Sequence, residues 1–549
     1  MTVEKNDQIF EENLKPKKKY PGFVKNLRDY FSEYTSSTSL HGFQYLGDQN
    51  RTIPEKIFWT VVISACLSIC TMMILKTHDK WTNSPVIVSF AQSPTPVGAI
   101  AFPAVTICSE TKSRQTVFNF TSYYHRNRKH DNLTEEENKM YEDASLLCDT
   151  HVYLDGSKTT DFGVIDFFEE IAPPYKEIFM SCTWQDRNET CDTLFYKMLS
   201  EEGICYTFNM LNRDAIYTNE VFHNKDFLDH NREPTDWTLE SGYTSLEDDE
   251  ETYPFRVVTA GAKAGITILL KANENDLDYV CRGPVQGFKV ALHPPDEVPR
   301  VGMQFFRLPL DQEVVVAIKP DMMTTSSSLL GYDPKKRGCY FSHERKLRYY
   351  NTYSQQNCYI ECLTNVTLNM CGCVAYHMPH SEHTQICGSG STACMKNART
   401  SIVSSVNSTE SGCNCLQACT AVTYNAETSQ ADFNWVKVLE AYENEEDFTG
   451  TRMARMTLFY KEMQVITSER NELYGITDFM ANCGGLLGLF IGFSFVSLIE
   501  TLYFMTLRLL MNILKFGRHF WSASDDLLQN DAYLHPYKDK KNEKDDLEK

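Results

Sequence analysis

Positive charge is what this sequence is short of: 53 lysines and arginines stand against 73 acids, a net charge of −20. A basic face for phosphate backbones is therefore not expected, so no nucleic-acid partner. A surface of this sign repels anions and attracts cations. No stretch before Ile57 resembles a secretory leader, and none is expected there, because the first apolar run begins only at Ile57 and is too long for one. No repeat of solenoid type recurs. No catalytic set assembles: Gly492-Phe-Ser494-Phe-Val lacks the second glycine of a nucleophile elbow, and His343-Glu344 lacks a histidine four residues after the first. Neither an enzyme nor a cofactor is expected.

Two apolar islands decide the class. From Ile57 to Leu75 no residue is charged, a length sufficient to cross a hydrocarbon core of roughly 30 Å at about 1.5 Å per residue. Arg51, Glu55 and Lys56 flank one end; Lys76, Asp79 and Lys80 flank the other. The rival reading is a buried core helix, but uncharged runs this long are uncommon in soluble proteins. The second island runs from Phe479 to Leu514, roughly 50 Å as one straight helix. It contains no proline or charged hairpin for a turn, so a tilted or interrupted helix is expected. Glu500 and Arg508 within it are residues a lipid-facing span avoids.

Basic residues cluster at Lys15, Lys17, Lys18, Lys19, Lys25 and Arg28, and again at Arg508, Lys515 and Arg518. The positive-inside rule then predicts two cytoplasmic termini with the intervening chain outside. Of the 19 cysteines, Cys66, Cys70 and Cys483 lie in the islands and the remaining 16 lie between them. The same stretch holds sequons at Asn119, Asn132, Asn188, Asn365 and Asn407. Both point to an oxidising, extracellular compartment. The expected organisation is a cytoplasmic segment 1–55, a first span 56–76, an ectodomain 77–472, a second span 473–514 and a cytoplasmic tail 515–549. The tail beyond Asp525 is charge-rich and reads as an extension.

The expected fold is α+β with an antiparallel sheet core. Strands are predicted at Val86–Phe90, Val257–Thr259, Gly265–Leu270, Phe288–Leu292 and Glu313–Ile318. Helices are predicted at Phe162–Glu170, Leu194–Ser200 and Asn434–Tyr442. Ten cysteines crowd residues 339–419. Cys358 and Cys362 share a helix face at this spacing, and bridging them to a returning strand would make a rigid ladder. Zinc is the competing reading, from Cys371, Cys373, His377 and His380, but the spacing matches no common zinc pattern and no metal is expected.

The informative stretch is Asn482-Cys-Gly-Gly-Leu-Leu-Gly-Leu-Phe-Ile-Gly-Phe-Ser-Phe-Val-Ser-Leu-Ile-Glu500. Gly484, Gly488 and Gly492 recur every four residues, predicting one small-residue helix face. Ordinary helix packing would explain that face as well. Gly492-Phe493-Ser494 adds small and hydroxyl positions where freed oxygens could replace an ion's water, and Glu500 follows deeper in the span.

With Leu40-His41-Gly42 before the first span, this stretch resembles the degenerin/epithelial sodium channel family. Phe102-Pro-Ala-Val-Thr-Ile-Cys108, Gly203-Ile-Cys205-Tyr-Thr-Phe-Asn209, the ten-cysteine block and Gly485-Leu-Leu-Gly-Leu-Phe-Ile-Gly-Phe-Ser494 carry the resemblance across residues 36–510. Ala91-Gln-Ser-Pro-Thr-Pro96 and Gly287-Phe-Lys-Val-Ala-Leu-His-Pro-Pro295 look most like its insect pickpocket branch.

The resemblance implies a trimer, homomeric or built with related subunits, with hand-like ectodomains in a plasma membrane. It implies a sodium-permeable, amiloride-sensitive type of cation channel, gated by an extracellular stimulus in a sensory role. Gly492, Phe493 and Ser494 would form the selectivity filter; Gly484, Gly485, Gly488, Asn482 and Glu500 would line the pore. His41 and Gly42 would belong to a re-entrant support, and Ala481 to the position where bulk holds the pore open. The implied disulfides are Cys108–Cys205, Cys182–Cys191, Cys339–Cys419, Cys358–Cys415, Cys362–Cys413, Cys371–Cys394 and Cys373–Cys387, leaving Cys148 to pair with Cys281.

Three positions depart from the pattern: Phe493 is bulky, Asn482 replaces a frequent aspartate, and Tyr503 stands where acid-sensing relatives carry a second acid. A non-conducting modulatory or receptor subunit is therefore the alternative. An ATP-gated channel would need a basic cluster for the triphosphate. The acidic run Glu247, Asp248, Asp249, Glu250 and Glu251 reads as a solvated loop or a proton or cation sensor.

Overall fold

The computed structural model describes residues 21–83, 86–131, 133–148, 154–222, 227–232, 237–243, 252–405, 413–443 and 448–523. Asn132, Asn407, the acidic run 247–251, the basic residues at 15–19 and the tail beyond 523 lie outside them. The chain divides into two compact units, one of residues 1–86 with 472–549, the other of residues 87–471.

The larger unit is built on two sheets. In the eight-stranded sheet Gln312–Thr325 is central, pairing Ala421–Asp432 antiparallel along its length (Val316 opposite Thr428). It runs parallel to Thr451–Tyr460 and Ser468–Glu472, so this sheet is mixed rather than antiparallel as the sequence suggested. The five-stranded sheet, in the order Phe306–Pro309, Gly287–His293, Ala104–Ser109, Gly203–Phe208 and Phe195–Ser200, is antiparallel throughout. Alternation sends Val314, Val316 and Ile318 inward, where they meet Ile268, Leu458, Val290 and Phe208 in one core. Burying each such side chain stabilises the fold by about 1.5–3 kcal/mol.

Two local expectations fail for identifiable reasons. Leu194–Ser200 was expected to be helical, but Phe195–Ser200 is a strand turned back on Gly203–Phe208, with Ser200 opposite Gly203. Gly203 sits at φ +82° and permits the tight turn. Val257–Thr259 is not a strand. Val257 is buried in the core, while the backbone just before it is satisfied by single contacts: Phe255 N donates to Asn209 Oδ1 (2.6 Å) and Phe102 N to Phe255 O (2.9 Å).

Eight disulfides form: Cys108–Cys205, Cys148–Cys281, Cys182–Cys191, Cys339–Cys419, Cys358–Cys415, Cys362–Cys413, Cys371–Cys394 and Cys373–Cys387. Helix Gln355–Cys371, capped by Ser354 and ended by left-handed Gly372, carries Cys358, Cys362 and Cys371. The returning segment is no strand at Cys413 and Cys415; only Gln417–Ala418 pairs, beside Cys339–Tyr340. The ladder's rigidity therefore comes from sulfur bridges rather than from sheet.

An ionic network gathers at one end of the five-stranded sheet, where Glu202 sits in the turn between Phe195–Ser200 and Gly203–Phe208 and Glu110 follows Ala104–Ser109. Glu202 receives Lys112, Lys289 (2.7 Å) and Arg282, and Glu110 receives Arg282 (2.8 Å) and Arg307 (2.8 Å). Burial alone would raise the Glu202 carboxyl, but Lys112, Arg282 and Lys289 outweigh it and hold it down to about 2.

In the smaller unit the first island is one helix, Ile53–Asn83. Its apolar side chains point outward: Ile57, Val61 and Leu75 are each about 60% exposed (59%, 61% and 62%). A core helix of a soluble protein would bury these, so exposure of an uncharged stripe marks a helix made for an apolar surrounding. The second island is two helices, Ile476–Ile491 and Phe495–Phe516.

Candidate functional site

The break between those helices is written in cap residues. Ile476–Ile491 ends with Gly492 in the left-handed region (φ +67°, ψ +21°). Gly492 N donates to Gly488 O (2.9 Å) and Phe493 N reaches back to Leu487 O (3.3 Å), the bond pattern of a glycine-terminated helix. Ser494 then opens the next helix: its hydroxyl accepts from Ser497 N (3.2 Å), and Ser497 Oγ accepts from Ser494 N (3.2 Å). Gly-Phe-Ser is thus a stop followed at once by a start. The expected glycine face is corrected accordingly: Gly484 and Gly488 lie within the helix, whereas Gly492 ends it.

The segment preceding the first long helix folds against this break. His41 N donates to Ile491 O (3.0 Å), occupying a carbonyl that the interruption frees. A Cβ on Gly492 would lie 2.8 Å from both Cε1 and Nδ1 of the His41 ring, so only glycine admits the imidazole. Gly42, at φ +83°, turns the chain into the short helix Phe43–Gly47, and Tyr45 stacks on Trp59 of the first long helix at 4.3 Å. The His-Gly pair therefore has two separate jobs, a side chain against the break and a backbone bend beside it.

Glu500 is held rather than free. Its Oε2 accepts from Ser39 N (3.1 Å) and Ser39 Oγ (2.9 Å), and Ser39 Oγ lies 2.7 Å from Ser497 Oγ, itself 3.1 Å from Ser494 Oγ. A run of hydroxyls thus links Ser494 to Glu500 through Ser497 and Ser39. Ser39 and Ser497 were not singled out from the sequence; Ser494-x-x-Ser497 was the available signal, as a capping pair. Deeper still, Arg508 donates to Glu33 through Nε (2.8 Å) and Nη2 (2.6 Å), Tyr34 OH lies 3.2 Å from Thr501 Oγ1, and Tyr30 OH donates to Phe504 O. That carbonyl belongs to the wide turn Phe504–Arg508, where the helix bonding slackens.

Other expected site residues stand apart. Ala481 and Asn482 are exposed on the upper helix, with Asn482 Nδ2 donating only to Asp478 O (2.9 Å). A Cβ on Gly484 or Gly485 would meet nothing within 4 Å in this chain. Asn188 and Asn365 are exposed; Asn119 is half-buried and caps helix Phe120–Arg128 through Ser122 N (2.9 Å). Cys371 and Cys373 are spent in disulfides, which removes two of the four residues of the zinc reading.

The residues that build the break lie in a stretch of sequence similar to known proteins. A family model described as amiloride-sensitive sodium channel matches residues 34–504. Pickpocket protein 28 of Drosophila melanogaster is 29% identical over 496 residues, covering 86% of this chain and 78% of that protein. Pickpocket protein 11 of the same fly is 22% identical over 524 residues, covering 93% and 84%. Its sodium channel protein Nach is 21% identical over 521 residues, covering 91% and 92%. The matched span takes in His41, the break and Glu500 together, and the chain belongs to the amiloride-sensitive sodium channel family.

Proposed function

We propose that this chain is a subunit of a sodium-permeable, amiloride-sensitive type of cation channel in the plasma membrane. It works as a homo- or heterotrimer with both termini cytoplasmic, residues 77–472 outside and spans at 56–76 and 473–514. An extracellular stimulus gates it in a sensory role. Gly492, Phe493 and Ser494 form the filter; Gly484, Gly485, Gly488, Asn482 and Glu500 line the pore, and His41, Gly42 and Ala481 act in gating. The supporting observation is the helix break at Gly492–Ser494, whose freed Ile491 carbonyl is met by His41 N at 3.0 Å. Such a break is tolerated at membrane depth only where it is buried in protein or lines water. Exposed Asn188 and Asn365 are the described sequons best suited to carry glycans.

Expression of Ala481→Trp in oocytes tests this reading. A standing inward current that falls on sodium replacement supports a conducting homomer. Silence despite surface delivery favours the non-conducting or obligately heteromeric subunit, a reading motivated by Phe493, Asn482 and Tyr503. Ser494→Cys should become reactive to thiol reagents and shift the reversal potential; an unchanged potential would remove Ser494 from the filter.

A further inference from the structure

A loop stands at the end of the larger unit from which both chain links to the apolar helices depart. Strand Gln312–Thr325 runs parallel to Ser468–Glu472, with Thr325 opposite Arg470, so the two chains leave the sheet at the same end. One reaches helix Ile476–Ile491 only six residues after Arg470, a span of at most about 20 Å. The other becomes the loop 326–338, begun by Ser326 N donating to Arg470 O (2.9 Å). The link from the first long helix arrives here too: Ser89, six residues past Asn83, accepts from Asn471 Nδ2 (3.2 Å).

The loop is gathered around one buried cation. Arg337 is 2% exposed; its Nη1 donates to Leu329 O (3.0 Å), Tyr332 O (3.2 Å) and Leu330 O (3.4 Å), its Nη2 donates to Cys339 O (3.3 Å), and it pairs with Glu344. Left-handed Gly338 ends the short helix Pro334–Arg337, and the Cys339–Cys419 bridge ties the chain down beyond it. Carbonyls drawn inward to the guanidinium hold the turn rigid and leave its tip outward. Leu329 is fully buried, whereas Leu330 is 51% exposed. Lys335 and Lys336 are exposed and form no ion pair among the described residues. From Lys335 to Arg348 the sequence holds six bases and one acid, in a chain of net charge −20. Arg337 and Arg348 are paired, with Glu344 and Glu220, but these two lysines are not. A leucine alone on a solvated loop is ordinary. A leucine fixed on a rigid turn beside two unpaired lysines, where the membrane helices join, has the composition of an interfacial anchor. Its apolar tip enters the acyl boundary while the ammonium groups stay at the level of the phosphates. A protein partner fits less well, because burying two lysines against protein strips their water, whereas headgroup phosphates pair with them in place.

We propose that the loop 326–338 docks on the outer leaflet, with Leu330 at the acyl boundary and Lys335 and Lys336 on phospholipid phosphates. This rests on the topology proposed above, with residues 77–472 outside. Photocrosslinking tests it, with p-benzoylphenylalanine in place of Leu330 in the full-length protein, held in nanodiscs of phosphatidylcholine and phosphatidylethanolamine, and adducts identified by mass spectrometry. A phospholipid adduct is expected at 330. The same replacement of Val436, 50% exposed beside the far end of strand Gln312–Thr325, should give at most about a tenth as much. Lys335→Ala with Lys336→Ala should lower the yield at 330 at least threefold, and Lys335→Arg with Lys336→Arg should keep it, with circular dichroism unchanged in both. A 330 adduct to protein, whether the same chain or a second copy, overturns the proposal. So does a lipid yield no higher than at Val436, or an undiminished yield without the lysines. Labelling of Lys263, whose side chain is 89% exposed, by an impermeant amine reagent on intact cells reports the topology separately. Lys263 labelled with no lipid adduct overturns the docking alone; neither signal overturns the topology as well.

Discussion

Gly492→Ala is the most discriminating change to the break. Two costs are separable in the geometry. An L-residue at φ +67° carries about 1–2 kcal/mol that glycine does not. The new methyl group also lies 2.8 Å from two atoms of the His41 ring, where ordinary contact begins near 3.4 Å. Displacing the ring, whose own amide is tied to Ile491 O, adds an overpacking cost of about 1–3 kcal/mol. Gly372 supplies the control. It terminates helix Gln355–Cys371 at φ +74° with nothing within 4 Å of a Cβ, so Gly372→Ala carries the first cost alone.

Hydrogen exchange reads both sites, at the Gly492 and Phe493 amides and at the Gly372 amide, each bonded to its own helix. At about 1.4 kcal/mol per tenfold, Gly372→Ala should speed local exchange by roughly 5–30-fold, and Gly492→Ala by a further 5–150-fold. Adding His41→Ala to Gly492→Ala should remove the second factor and leave the first, a coupling visible in a double-mutant cycle. Equal effects at 372 and 492, or no recovery with His41→Ala, would refute the claim that the imidazole is what requires glycine there.

Glu202, held down to about 2 by Lys112, Arg282 and Lys289 although burial opposes this, favours the folded state by about 3 kcal/mol above pH 4.5. That contribution should be lost as pH falls toward 2, seen as acid unfolding by circular dichroism, and Glu202→Gln should cost about 3–5 kcal/mol at neutral pH by stranding the cations. Burial pushes Asp296 up to about 6, and burial with the Asp296 charge pushes Glu297 up to about 8. Their protonated forms favour folding, so stability should fall as pH rises from about 4 to 8, and Asp296→Asn should flatten that slope in thermal melts. Glu33→Gln and Arg508→Gln should each speed amide exchange in helix Phe23–Ser37, the double variant doing no more than either; additive effects would show that the pair does not hold the helix.

How much was legible depended on where the physics was local. The two islands, their flanking charges and the confinement of paired cysteines between them are properties of composition, and they marked both membrane helices and the disulfide-rich unit. The length of the second island and its lack of a turn left a tilted or an interrupted helix open; the interruption and its position needed capping chemistry, Gly492 as stop and Ser494 with Ser497 as start. Leu194–Ser200 was misread because its side chains suit either element, and the deciding partner, Gly203–Phe208, acts through a hairpin. The parallel pairing of Gln312–Thr325 joins strands more than a hundred residues apart and leaves no mark in either. Ser39 on Glu500, like Glu33 on Arg508, spans more than four hundred residues.

The same cap chemistry explains why a bulky residue is admissible at 493. Residue 492 must be glycine for its backbone and for His41, and residue 494 must present an oxygen to Ser497 N. The residue between them is the second one past the helix end, a position that favours an apolar side chain packed on the last turn. Phe493 is half-buried there, and its backbone alone makes the bond to Leu487 O. The break and the side chain carried just past it are thus set by different atoms. Phe493→Ala should therefore leave exchange at the Gly492 and Ser497 amides within about twofold of wild type, because no cap bond is lost. In a conducting background such as Ala481→Trp, the same change should shift the reversal potential among sodium, potassium and lithium. Faster exchange at the cap amides would instead make the Phe493 ring part of the break, and any change in ion preference would then follow from a loosened helix end.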